Sequence, residues 1–152
     1  MKSIISKAMM LVAVAAALLS FTSKFGGEGF EISLNGIVLL QQFGKDLNTV
    51  KILKLNNVSA SDKLTIRYYH CGRIGKNRTL AIKDGQDKLI KEWRFKDAQT
   101  TIGDMSCSVN DFFLLAKNGN HTFNIYYSSS ELPAGRMLTK VIFGNNSDVT
   151  RK

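Results

Sequence analysis

Apolar and polar side chains alternate with a period of two along most of this chain, which is the pattern of half-buried β-strands. Two apolar runs lie within residues 30–43, and the pair Asn35-Gly36 between them is a strong signal for a β-hairpin turn. Six further stretches follow the same pattern. They are residues 49–55, 63–71, 79–83, 89–96, 121–129 and 136–143. The alternation therefore predicts about eight short strands.

The same alternation predicts which side chains face the core. In residues 63–71 we expect Leu64, Ile66 and Tyr68 to point inward. In the later strands the inward set is Leu80, Ile82, Leu89, Trp93, Phe95, Phe123, Ile125 and Tyr127. One segment breaks the pattern. Residues 108–119 have an Asn/Asp start, a short apolar cluster and a glycine at the end, which favours a helical turn or a corner between strands.

Many short strands with turn signals about every 8–12 residues indicate an all-β fold, and we expect an antiparallel β-sandwich that is immunoglobulin-like in the broad sense. A small closed β-barrel is the alternative. The likeness to immunoglobulin modules is one of architecture only. Trp93 does lie between Cys71 and Cys107, but it is not on the strand that directly follows the first cysteine. No functional residue is therefore transferred from that fold.

The N-terminus has the pattern of a secretory signal peptide. Lys2 and Lys7 precede an uncharged stretch at residues 8–19, and small or hydroxylated residues follow it. As a helix, that stretch would reach only about 18 Å, whereas the hydrocarbon core of a bilayer is about 30 Å thick. We therefore expect residues 1–23 to be a cleaved leader, residues 24–144 one domain and residues 145–152 a flexible tail. The predicted location is periplasmic or secreted.

The chain is strongly basic. Its formal net charge is +9, and removal of Lys2 and Lys7 with the leader would leave +7. A basic surface favours anionic partners such as polysaccharide, nucleic acid or lipid headgroups, although it can also serve solubility alone.

The two cysteines of the chain, Cys71 and Cys107, both follow the leader. In an exported protein the simplest prediction is a disulfide between them. Closing a loop of that length should stabilise the fold by about 4 kcal/mol, through its effect on the unfolded chain. A pair of free thiols is the alternative.

Residues 68–85 raise three candidate chemistries that the pattern does not support. A phosphate-binding loop would need Ser or Thr after Lys76, where the chain has Asn77, and a helix after that. A zinc site would need more ligands than His70, Cys71 and the distant His121 provide. Cys71 with His121 could be drawn as a catalytic dyad, but no recognised catalytic motif supports it. We therefore predict no catalytic residue, no metal and no cofactor.

What remains in this region is a predicted basic hairpin. Arg73, Lys76 and Arg78 would lie at its tip, with Gly72 and Gly75 supplying positive φ angles. Residues 67–96 hold nine Lys or Arg against three Asp or Glu. The hypothesis is an anion-binding surface at these three residues, and the alternative is a solvated face that protects edge strands. Aromatic side chains are sparse there, so sequence-specific nucleic-acid recognition is not expected.

The predicted function is that of an exported β-sandwich acting as a binding or accessory module with an unknown protein or anionic polymer partner. The alternatives are binding to a membrane surface or polysaccharide, completion of an assembly by exchange of an edge strand, and a secreted hydrolase with an unrecognised site. Asn57, Asn77, Asn120 and Asn145 are N-x-Ser/Thr acceptors, and all four fall in predicted turns or the tail.

Overall fold

Nine β-strands, one α-helix and one 3-10 helix make up the described part of the chain. The structure is a computed structural model that describes residues 27–117, 119 and 121–144. The predicted leader, the predicted tail, and Asn120 and Asn145 lie outside these residues. The strands are β1 (Glu28–Leu34), β2 (Ile37–Phe43), β3 (Lys51–Leu55), β4 (Lys63–His70), β5 (Arg78–Lys83), β6 (Leu89–Phe95), β7 (Asp104–Ser108), β8 (Thr122–Ser129) and β9 (Leu132–Phe143). The 3-10 helix is Gly44–Asn48, and the α-helix, α1, is Val109–Ala116.

The strands form two sheets packed face to face. One has the order β2-β1-β4-β7 and the other the order β3-β9-β8-β5-β6. The predicted sandwich is confirmed, and the alternative of a small closed barrel is wrong because both sheets are open within the described residues. The orders β1-β4-β7 and β9-β8-β5-β6 match strands A-B-E and G-F-C-C′ of the immunoglobulin architecture. One pair departs from antiparallel pairing, since β3 runs parallel to β9 with Lys51 opposite Thr139.

The predicted hairpin at Asn35-Gly36 is confirmed. Asn35 has a φ of 50° and Gly36 a φ of 84°, so both residues of the turn are in the left-handed region that a type I′ turn requires. The Asn35 side chain also bonds to the next connection: its Nδ2 donates to Asp62 Oδ1 at 2.9 Å, and its Oδ1 accepts from the Lys63 amide at 2.9 Å. This turn therefore sets the register of β1 and β2 and also positions the start of β4.

The predicted inward faces are confirmed for β4 and β8. Leu64, Ile66 and Tyr68 of β4, like Phe123, Ile125 and Tyr127 of β8, are at most 4% exposed. The prediction is wrong for Leu89, which is 51% exposed. A register shift between Ile82 and Lys83 in the pairing of β5 with β6 allows Ile90, rather than Leu89, to pack against the core.

Helix α1 closes the end of the sandwich at which β7 finishes and β8 begins, and we call this the helix end. Ser108 caps the helix, because its Oγ accepts from the Asn110 amide at 3.2 Å. Phe112, with no exposed surface, packs against Phe123 and Phe143 at ring-centre distances of 6.0 and 6.4 Å. The predicted helical turn is present here as α1. The strand before it, β7, is not predicted from the sequence, because it is only five residues long and runs directly into the helix.

The predicted hairpin between β4 and β5 is wrong. β4 belongs to the four-stranded sheet and β5 to the five-stranded sheet, so residues 71–77 cross from one sheet to the other. Glycines and polar residues serve such a crossing as well as they serve a hairpin, which is why the local sequence did not distinguish the two.

The predicted disulfide between Cys71 and Cys107 is not formed, and both cysteines are free. Cys107 lies opposite Leu64 on β4, while Cys71 follows the last residue of that strand. Seven residues of extended chain span about 23 Å, whereas a disulfide needs Cα atoms about 6 Å apart. Burial raises the pKa of the Cys107 thiol to about 12, so this cysteine behaves as an unreactive core residue.

Candidate functional site at the loop end

Three connections meet at the end of the sandwich opposite α1, which we call the loop end. They are residues 71–77 between β4 and β5, residues 96–103 between β6 and β7, and residues 130–131 between β8 and β9. β4, β6 and β8 all run toward this end, and the strands that follow them run away from it. In immunoglobulin variable domains the B–C and F–G connections at the corresponding end carry ligand contacts. That parallel concerns the fold alone.

Arg78, the first residue of β5, lies beneath the connections and is hydrogen-bonded to residues at both ends of one of them. The residue is 7% exposed and lies on the same face of β5 as Leu80 and Ile82. Its guanidinium donates from Nε and Nη2 to the Lys96 carbonyl oxygen at 3.1 and 2.7 Å, and from Nη1 to the Gly103 carbonyl oxygen at 2.8 Å. Because the guanidinium is planar and permanently charged, these bonds hold both ends of residues 96–103 in fixed positions.

Two glycines leave the space that Arg78 occupies. A Cβ atom on Gly103 would lie 2.7 Å from Arg78 Nη1, and one on Gly75 would lie 3.0 Å from Arg78 Cδ. Gly72 has the positive φ that the sequence predicted, at 82°, but Gly75 is not among the residues with positive φ. In the same connection two non-glycine residues, Cys71 and Asn77, also have positive φ angles, of 52° and 49°. Gly75 is therefore required for close packing and not for a turn.

Further hydrogen bonds join residues 71–77 to both neighbouring connections. The Asn77 amide donates to Asp97 Oδ1 at 2.8 Å, and Asn77 Nδ2 donates to Ser130 Oγ at 2.8 Å. The Lys76 amide donates to Glu131 Oε2 at 3.0 Å, and the Ser130 amide to the Lys76 carbonyl at 2.9 Å. The three connections are thus one hydrogen-bonded unit.

A cluster of polar and aromatic side chains lies beneath this unit and joins the two sheets. Tyr68 of β4 stacks on Tyr127 of β8, with ring centres 4.3 Å apart. The Tyr127 hydroxyl is 2.8 Å from His70 Nε2, and Ser129 Oγ is 3.3 Å from the same nitrogen. Burial lowers the pKa of His70 and raises that of Tyr127, which favours the neutral form of both. In immunoglobulin domains a disulfide joins these two strands.

The outer surface of the loop end combines cationic and aliphatic side chains. Arg73 and Lys76 are exposed, and Ile74 and Ile102 are 41% and 46% exposed. A shallow cleft of about 370 Å³ lies beside them. Its lining includes His70, Cys71 and Gly72 as well as Thr101 and Ile102.

The structure separates the three residues of the predicted anion-binding surface. Arg73 and Lys76 lie outside, whereas Arg78 is buried and all its hydrogen bonds named above go to backbone carbonyl oxygens. Asp97 and Glu131 bring two carboxylates to the same end. Anion binding at Arg73 and Lys76 stays a prediction.

The basic excess of residues 67–96 is spread over the molecule. Arg67 pairs with Glu31 and Asp104 on the outer face of the four-stranded sheet. Lys91 pairs with Asp111 of α1, and Arg94 pairs with Glu92 of its own strand. Charges that are adjacent in sequence therefore do not form one patch.

Sequence reasoning missed the structural roles of Arg78 and His70, although a signal for both was present. Arg78 has the same strand parity as Leu80 and Ile82, and His70 the same parity as Ile66 and Tyr68, so alternation would have placed both inside. Asp97 and Glu131 had no such signal, because aspartate and glutamate are common in any exposed turn.

Within residues 27–117, 119 and 121–144, no three His, Cys, Asp or Glu side chains come together as a metal site would require. None of the helices in this part of the chain has the length and apolar character to cross a bilayer. No protein-family model matches the chain, and a search of curated proteins finds no significantly similar sequence.

Proposed function

We propose that the protein is an exported, non-catalytic binding module that uses the loop end to contact a partner protein with an acidic surface. The observation that carries this proposal is the hydrogen-bonded union of connections from both sheets, with Arg73 and Lys76 on its outside. Loops that are already held in place lose less conformational entropy on binding than free loops do.

The side chains on this surface favour a protein over a simple polyanion. A partner that buries Ile74 and Ile102 must offer apolar surface to them. Acidic groups beside that surface would complement Arg73 and Lys76. An acidic polysaccharide supplies only the second requirement. A membrane with anionic lipids supplies both, so it is the alternative that an experiment must separate.

Export to the periplasm or the medium is part of the proposal and rests on the leader pattern of residues 1–23. The free state of Cys71 and Cys107 removes the disulfide as a second argument for an oxidising compartment. Mass spectrometry of the protein purified from its own compartment would test export, because an intact leader would contradict it.

A charge-reversal experiment tests the loop end. The variant Arg73→Glu/Lys76→Glu reverses both exposed cations. The variant Lys45→Glu/Lys54→Glu makes the same change in net charge at exposed lysines of the 3-10 helix and β3. Each chain is immobilised and used to capture proteins from the extracellular or periplasmic fraction, and a captured protein is then purified and titrated against all three chains.

We expect the loop-end variant to weaken the affinity at least tenfold, and the control to bind as the unaltered chain does. Equal weakening by both variants would show general electrostatic attraction and would contradict a site at the loop end. Sedimentation with phosphatidylglycerol vesicles is the parallel arm. Vesicle binding that depends on Arg73 and Lys76, without any captured protein, would replace the protein partner with a membrane surface.

A further inference from the structure

The four edge strands of the two sheets differ in how they are protected from pairing with other chains. The edges are β2 and β7 in one sheet and β3 and β6 in the other. β7 and β3 are only five residues long and carry Asp104 and two lysines respectively, and β6 carries Lys91, Glu92 and Arg94. Short length and charge are the usual protection of an edge.

Strand β2 lacks both kinds of protection. It has seven residues, IVLLQQF, with no charge and no proline. A bulge in its pairing with β1 makes Leu39 the additional residue, and bulges can protect an edge. Here, however, the additional residue is itself apolar and 40% exposed. Of the four edges in the described residues, β2 is therefore the one most open to strand pairing.

Exposed aliphatic side chains are concentrated on the same flank of the sandwich. The structure has nine exposed large hydrophobic side chains among its described residues, and five of them lie on or next to β2 and β3: Ile37, Val38, Leu39, Val50 and Ile52. The two strands share a flank because β1 lies over β9, as the ion pair between Glu28 and Arg136 at 3.4 Å shows, and β2 and β3 are the next strands outward.

We propose that β2 pairs antiparallel with β2 of a second copy of this chain, which forms a two-fold dimer with one continuous eight-stranded sheet. A strand placed against itself by a two-fold axis always meets a matching set of backbone donors and acceptors. Two chains of net charge +9, or +7 without the predicted leader, repel one another. An uncharged strand is the edge at which this repulsion opposes contact least. The inference is independent of the function proposed for the loop end.

The experiment measures the oligomeric state of the purified full chain by sedimentation velocity over a range of concentrations. Reductant is present throughout, because Cys71 is exposed and free and could otherwise link two copies. The test variant is Ile37→Lys/Leu39→Lys. The control, Leu89→Lys/Leu114→Lys, adds the same charge at two other exposed leucines, on β6 and α1. Circular dichroism confirms that each variant is folded.

We expect a concentration-dependent dimer whose dissociation constant rises at least tenfold in the β2 variant and is unchanged in the control. Hydrogen exchange should show slower exchange of β2 amides as concentration increases. A chain that stays monomeric up to about 1 mM, where only affinities too weak for a specific dimer remain, would overturn the proposal. So would a dimer that the β2 variant does not weaken, or a monomer whose β2 edge binds a strand from a different protein.

Discussion

The two ends of this sandwich are held together by different kinds of interaction. At the helix end, Phe112, Phe123 and Phe143 fill the space between the sheets with aromatic rings. At the loop end, Tyr68 stacks on Tyr127, and the Tyr127 hydroxyl is hydrogen-bonded to His70 Nε2. The buried guanidinium of Arg78 bonds to backbone carbonyl oxygens at the same end. The helix end is stabilised by the buried volume of apolar side chains. The loop end is stabilised by hydrogen bonds of fixed direction and by a buried charge.

This difference predicts different responses to substitution. Loss of apolar volume lowers the free energy of unfolding of the whole domain, because the core forms cooperatively. Loss of a directional bond at the loop end should release a connection while the sheets stay folded, since local opening requires less free energy than global unfolding. A binding surface gains from the second arrangement, because its shape is set separately from the stability of the core.

The largest expected effect is that of Phe112→Ala. The side chain is fully buried and packs against Phe123 and Phe143 of the five-stranded sheet, so its loss should lower the free energy of unfolding by about 3–5 kcal/mol. Urea denaturation followed by circular dichroism measures this. Phe112→Leu, which keeps most of the volume, serves as the control and should lose clearly less. A loss below about 1 kcal/mol for Phe112→Ala would contradict a core that depends on this residue.

Arg78→Met should have the next largest effect. It keeps an extended side chain but removes the hydrogen bonds to the carbonyl oxygens of Lys96 and Gly103. Their loss should destabilise the folded state by about 2–3 kcal/mol. Hydrogen exchange should accelerate in residues 96–103 well before it does in α1. Arg78→Lys retains the positive charge but not the planar guanidinium. Its exchange rate in residues 96–103 should lie between those of the unaltered chain and Arg78→Met. If hydrogen exchange accelerated equally at the helix end and the loop end, the loop end would not open separately from the core.

The stability should also fall as the pH decreases below neutrality. Burial lowers the pKa of His70 from its ordinary value of 6.5, so the unfolded chain binds a proton more readily than the folded one. The stabilisation is therefore complete above about pH 6.5 and is lost as the pH falls toward the folded pKa, by less than about 1.4 kcal/mol per pH unit.

Urea denaturation at pH 7.5 and 5.5 measures the pH effect, with His70→Gln as the comparison. The variant should show a flatter dependence on pH than the unaltered chain. An equally steep dependence would assign the effect to a group other than His70.

The smallest expected effect is that of Ser108→Ala at the helix end. The Ser108 hydroxyl caps α1 through the Asn110 amide, and loss of an N-cap costs about 1 kcal/mol. Ser108→Asp should retain the cap and most of the stability. If Ser108→Ala destabilised the domain as much as Phe112→Ala, the cap and not the ring cluster would be the main support of this end.

The alternation of side chains was enough to predict most strands and most of the core. It works for Leu64, Ile66 and Tyr68 because a half-buried strand leaves its own period in the sequence. It did not predict which strands are neighbours. The crossing at residues 71–77 and the parallel pairing of Lys51 with Thr139 depend on contacts between distant parts of the chain.

The candidate site was predicted only in part, for a related reason. Arg73 and Lys76 were placed in the right connection, but the basic character of Arg78 concealed its inward position. A charged side chain is normally exposed, and only the geometry of residues 96–103 shows the carbonyl oxygens that allow this one to be buried. The disulfide prediction failed likewise, because spacing along the chain gave no information on the distance between Cys71 and Cys107.

The parallel pairing of β3 with β9 has a consequence for the order in which the domain can fold. β9 lies between β3 and β8. During synthesis β3 therefore has no neighbour in the five-stranded sheet until residues 132–143 have left the ribosome. Such long-range pairing slows folding. The pairing of β3 with β9 is therefore among the last steps in forming this sheet.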